Sequence, residues 1–108
     1  MRWVKIFNSR DQAGSAIAEG SARRIVFGEL RIALARWKGE FYAIEDACPH
    51  SGAYLSQGMV NNSGELVCPL HSYCYDLRTG REFQQMTRDA RTWSLKWEGG
   101  QLYLGVEE

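Results

Sequence analysis

The stretch Arg31-Ile32-Ala33-Leu34-Ala35-Arg36-Trp37-Lys38-Gly39-Glu40-Phe41-Tyr42-Ala43-Ile44 decides the fold class. Two short runs rich in β-branched and aromatic residues flank Lys38-Gly39-Glu40, and the segment reads as two strands joined by a hairpin turn. Working outward, Trp3-Val4-Lys5-Ile6-Phe7 and Arg24-Ile25-Val26-Phe27 have the same character. Near the carboxyl end, Thr92-Trp93-Ser94-Leu95-Lys96-Trp97 and Gln101-Leu102-Tyr103-Leu104-Gly105-Val106 flank Glu98-Gly99-Gly100, whose glycines accept positive φ. Trp93, Leu95 and Trp97 are expected on one face of that hairpin. Asp11-Gln12-Ala13-Gly14-Ser15-Ala16 is expected to form no more than a helical turn. Many short strands at regular spacing imply an all-β protein, an antiparallel β-sandwich or small barrel. Trp3, Phe7, Phe27, Trp37, Phe41, Trp93 and Trp97 are read as filling its core or its faces.

At 108 residues the chain has the length of one compact domain, expected over 1–108. Charged residues are 24% of it and balance to zero, which leaves no electrostatic footprint for nucleic acid or an anionic membrane. No apolar run approaches the roughly 20 residues that cross a bilayer, and the first residues alternate in character, so a cytoplasmic location is expected. Three cysteines are too few, and odd in number, for a disulfide framework; a metal site is the better reading.

The two prolines, Pro49 and Pro69, each follow a cysteine and mark two loops. The first holds Cys48-Pro49-His50-Ser51-Gly52, a C-x-H pair. The second holds Cys68-Pro69-Leu70-His71-Ser72-Tyr73, a C-x-x-H pair after the strand Gly64-Glu65-Leu66-Val67. Seventeen residues, Ser51 to Val67, lie between them. Both histidines of the chain and two of its three cysteines fall in these segments, and proline and Gly52 suit rigid, tightly turned ligand loops. Two metals fit a Cys2His2 set. Zinc would make a closed structural site, although zinc modules usually open with paired cysteines. A binuclear iron-sulfur cluster with two histidines on one iron suits one cysteine and one histidine from each loop.

In Cys48-x-His50 and Cys68-x-x-His71 the sequence resembles the Rieske family, whose strands would cover nearly the whole chain as an antiparallel β-sandwich with a cluster-binding loop subdomain. The resemblance implies one Rieske 2Fe-2S cluster, with Cys48 and Cys68 on the inner iron and His50 and His71 on the outer, solvent-facing one. Respiratory members join the two loops by a disulfide; Ala53 and Leu70 stand at those positions, so the chain is more similar to Rieske ferredoxins and the ferredoxin domains of ring-hydroxylating oxygenase systems. Cys74 matches neither disulfide position and is expected to be a free, semi-buried thiol. Of two hydroxyl donors found in high-potential members, a serine is replaced by Tyr73 while a tyrosine is kept as Tyr75. This implies a potential in the lower half of the Rieske range of about −150 to +300 mV. Asp76-Leu77-Arg78-Thr79-Gly80 is expected to be a strand end and turn, and Asp46 a cap or turn residue. The family's covering loop commonly holds proline; Glu82 to Arg91 holds none, which suggests a more mobile loop around Gln85-Met86-Thr87.

The implied function is one-electron transfer between a reductase and a terminal oxygenase or other redox enzyme, without catalysis by the chain itself. His50 and His71 would form the exit edge, with Ser51, Tyr54 and Leu70 around it. Two other readings are a small subunit of an assimilatory NAD(P)H nitrite reductase and a structural zinc-binding module.

Overall fold

A computed structural model describes residues 1–70 and 72–107. Its strands are β1 (Arg2–Phe7), β2 (Ala22–Phe27), β3 (Leu30–Trp37), β4 (Glu40–Glu45), β5 (Met59–Val60), β6 (Glu65–Val67), β7 (Cys74–Asp76), β8 (Thr92–Trp93), β9 (Leu95–Glu98) and β10 (Gln101–Val106). They form three antiparallel sheets, ordered β1-β10-β9, β2-β3-β4-β8 and β5-β6-β7. The all-β reading holds, as separate sheets and not as a closed barrel.

The hairpin that opened the reading is β3–β4, with Trp37 opposite Glu40. Its turn is two residues, Lys38 and Gly39, both at positive φ, the mirror-image geometry that matches strand twist. β3 is buried on both faces: Ala33 and Ala35 point into one apolar cluster, Ile32 and Leu34 into another. The second cluster also takes Ile17, Ala43 and Leu104 from the rest of the sandwich. The first joins Ile44, Leu55, Leu66, Tyr75, Leu77 and Ala90 to Cys48 and Cys68, so both cysteines rest directly on the core. Burying each Leu or Ile contributes roughly 1.5–3 kcal/mol.

Two expectations change. The stretch Thr92–Trp97 is not one strand. Trp93 pairs with Ala43 in one sheet and Leu95 with Leu104 in another, with the switch at Ser94. Trp93 and Leu95 nonetheless pack on the same cluster, and Trp97 stands edge-on to Phe41, 6.1 Å away. The helical turn is a seven-residue helix, α1 (Arg10–Ala16); Ser9 caps it by accepting from the Gln12 amide at 3.0 Å, and the Gln12 side chain accepts from Asn8 N–H. The aromatic residues expected in the core or on its faces mostly take the faces, and Tyr75 is the one fully buried aromatic among the described residues. Cations cover several others, such as Arg10 over Trp97, Arg91 over Trp93 and Lys96 over Trp3.

Candidate metal centre

Cys48, His50 and Cys68 sit in loops fixed at their ends by backbone bonds. Cys68 and Tyr73 close the β6–β7 hairpin, where the Cys68 amide donates to Tyr73 O at 2.7 Å. The first loop leaves β4, is pinned by an isolated bridge between Ala47 and Tyr54, and turns through Cys48 N–H to Ala53 O (2.8 Å) and Gly52 N–H to Cys48 O (2.7 Å). Gly52 takes φ 76°, the conformation for which glycine is suited.

Asp46 closes the base of that loop and is fully buried. Its Oδ1 accepts from the Ser56 amide at 2.8 Å, its carbonyl from Leu55 at 2.6 Å, and its Oδ2 lies 3.3 Å from Arg24 Nε. The Arg24 guanidinium also lies over the Tyr54 ring at 4.4 Å. Asp46 is thus the cap residue expected of it. Gly58, just before β5, lies close against the end of β6: a Cβ there would stand 1.9 Å from Val67 O.

Cys48 and Cys68 are buried, free and close enough for each thiol to perturb the other. Tyr75 Oη lies 3.3 Å from Cys48 Sγ, and Ser51 Oγ lies 3.7 Å from Cys68 Sγ. Ser51 Oγ accepts from the Ala53 amide, which leaves its own hydrogen for sulfur. Burial pushes the Cys48 thiol up, but the Tyr75 hydroxyl, the Ser51 amide and hydroxyl and the His50 amide outweigh it and hold the thiol below its usual value. Burial also pushes Cys68 up, and there the Leu70 amide and Ser51 hydroxyl offset it only in part, with Cys48 adding to the rise. Tyr75 is held well above the ordinary phenol range, first by burial and then by Cys48, so it remains a donor.

His50 stands in the first loop with its ring stacked on Tyr73, centroids 4.0 Å apart and planes 11° apart. His71, the expected fourth ligand, lies outside the described residues. Among the described residues no three His, Cys, Asp or Glu side chains converge as a single-ion site. A two-iron group divides its ligands between metals, and two buried neighbouring sulfurs ringed by donors match its thiolate half.

Cys74 is half-buried and free as expected, its thiol 3.5 Å from Ser72 O and pushed up by burial. Asp76 caps the following turn, accepting from the Arg78 and Thr79 amides at 2.7 and 3.2 Å. The proline-free segment is held by carboxylates: buried Glu82 accepts from the Gln84 and Met86 amides, and Glu45 binds Arg88 and the Arg91 amide. Phe83 and Met86 nevertheless stay exposed. Sequence reading placed Ser51 only at the rim and gave Tyr73 no partner; the hydroxyl directly after C-x-H was the available signal for Ser51.

Residues 47–64 and 66–75 contain no Asp, Glu, Lys or Arg, although the chain holds thirteen acidic and thirteen basic residues. Tyr54, Met59 and Leu70 are exposed in these segments, and Gly58, Val60, Val67 and Pro69 line an open depression beside Cys68. Among the described residues no helix is long and apolar enough to cross a membrane.

The 3-phenylpropionate/cinnamic acid dioxygenase ferredoxin subunit of Escherichia coli K12 is 36% identical over 93 residues, 85% of this chain and 87% of that protein. A chain from a complex of reduced oxygenase and oxidized ferredoxin in carbazole 1,9a-dioxygenase superposes with TM-score 0.78 at 27% identity, covering 94% of this chain and 91% of that one. A structure described as an NADH-dependent nitrite reductase small subunit from Mycobacterium tuberculosis superposes with TM-score 0.80 over 95% and 93% of the chains, at 18% identity, which shows a shared fold alone. Residues 2–94 match the Rieske [2Fe-2S] domain, and with its paired buried cysteines, His50 and the Tyr75 hydroxyl, the chain belongs to that family.

Proposed function

We propose that the protein is a one-electron carrier that holds one Rieske 2Fe-2S cluster on Cys48, His50, Cys68 and His71 and passes electrons from a reductase to a terminal oxygenase. The observation that carries this reading is the pair of buried thiols, side by side, with the Tyr75 hydroxyl 3.3 Å from one and the Ser51 hydroxyl 3.7 Å from the other. When bound, such a cluster takes up and releases a single electron. The chain's own residues set the terms: Cys48 and Cys68 bury the sulfur side in the core, and Tyr75, Ser51 and nearby amides donate toward charge that grows on reduction. His50 lies on the exposed loop side, where a partner could approach.

The names of the relatives support an oxygenase as acceptor, and the protein would act as a component of an oxidoreductase system, not as its catalyst. A nitrite reductase role rests on fold likeness alone. Unpaired cysteines fit a reducing cytoplasm. Tyr75 without a serine at position 73 supports a potential in the lower half of the range of about −150 to +300 mV.

The test is EPR and UV-visible spectroscopy of anaerobically purified protein, with Cys48, His50, Cys68 and His71 replaced in turn. A reduced-state signal with the low average g of nitrogen-ligated iron, lost on each replacement, is the expected result. Zinc without iron after cluster reconstitution would overturn the reading.

A further inference from the structure

The His50–Tyr73 stack joins the two ligand loops, beside the Ser51 Oγ to Cys68 Sγ contact. Tyr73 is fastened on its own side: its carbonyl accepts from Cys68 N–H at 2.7 Å and its side chain packs against the cluster of Cys48, Cys68 and Tyr75. Ser72, just before it, takes φ 58°, a left-handed turn uncommon for a residue with a Cβ. That turn delivers the Tyr73 ring across to the other loop, where it lies parallel to the imidazole at 4.0 Å. An imidazole bonded to a metal through one nitrogen retains a rotation about that bond. A parallel ring anchored in the core restricts this rotation to one plane.

We propose that Tyr73 is a positioning residue for His50: it fixes the plane of the imidazole through which an electron would leave. The inference rests on the reading of His50 as a ligand. Its hydroxyl is not required, so Tyr73→Phe keeps the device, whereas Tyr73→Leu keeps apolar volume but removes the flat ring.

The experiment is EPR with pulsed nitrogen hyperfine spectroscopy on the dithionite-reduced, cluster-containing protein and both variants, alongside their thermal unfolding. Tyr73→Phe should superimpose on the wild type. Tyr73→Leu should broaden the g features and smear one of two nitrogen couplings, with cluster content retained. Tyr73→Trp, which also offers a flat ring, should restore narrow lines and serves as the decisive variant if Tyr73→Leu does not fold. A Tyr73→Leu spectrum identical to the wild type, or equal broadening in all three variants, overturns the proposal. A wild-type protein with no nitrogen coupling at all would instead overturn the ligand reading beneath it.

Discussion

Replacing Tyr75 with phenylalanine removes one oxygen and almost nothing else, because the ring stays in a site with no solvent exposure. The lost contact is the 3.3 Å approach of the hydroxyl to Cys48 Sγ. A hydrogen bond to a charged acceptor contributes about 1.5–3 kcal/mol. Only the part that differs between the two redox states bears on the potential. If about a third differs, the reduced state loses roughly 0.5–1 kcal/mol relative to the oxidised one. For one electron, where a tenfold change in equilibrium corresponds to about 59 mV, this is a drop of roughly 20–40 mV. The sign follows from the chemistry: a donor stabilises the more negative state, so its removal makes reduction harder. Protein-film voltammetry or a potentiometric titration followed by circular dichroism at pH 7 reads the shift directly. An unchanged or raised potential in a variant with full cluster content would refute the assignment of Tyr75 as a donor.

Asp46→Ala should lower unfolding stability by about 2–4 kcal/mol in a denaturant titration, because it leaves the Ser56 amide without its acceptor and the Arg24 guanidinium without its ion-pair partner. Gly58→Ala and Gly80→Ala should each cost on the order of 2 kcal/mol or more, since the added Cβ would sit 1.9 Å from Val67 O or Ala90 O; thermal melts within a degree of wild type would refute the close approach. The Glu45 carboxyl is held below its ordinary value chiefly by the Arg88 hydrogen bond, against the opposing pull of burial. Its contribution to stability is therefore present above the unfolded value of about 4.3 and is lost as pH falls through the lower folded value. Glu45→Gln should flatten that limb of the melting-temperature profile between about pH 5 and 3, and a limb parallel to wild type would show that Glu45 does not contribute.

The ligand loops were legible because their chemistry is local. Cysteine, proline and histidine at fixed spacing state a metal loop within five or six residues, and Tyr75 followed from the family resemblance. The β3–β4 hairpin was equally plain from two apolar runs around Lys38-Gly39. The switch at Ser94 was not, since Thr92-Trp93 and Leu95-Lys96-Trp97 have one continuous strand pattern and only their neighbours in space, Ala43 and Leu104, divide them. Helix α1 was underrated although Ser9-x-x-Gln12 is a capping signature, because Gly14 weighed against it. Which aromatics take the faces was not legible: the cover of Trp97 by Arg10 depends on a residue distant in sequence. The parallel rings of His50 and Tyr73 come from different loops, and no spacing rule connects them.

The end that would hold the cluster is built chiefly from residues 47–64 and 66–75, which carry no Asp, Glu, Lys or Arg, with Arg24 resting on Tyr54 as a neighbouring cation. A carrier with so little charge in these segments would call its partners only weakly from a distance. Charge-steered pairs associate at up to 10⁸–10⁹ M⁻¹s⁻¹ at low salt, whereas neutral faces meet at about 10⁵–10⁶ M⁻¹s⁻¹. Electron flux through the protein would then follow how much of it the cell makes, and would change little with the ionic strength around it.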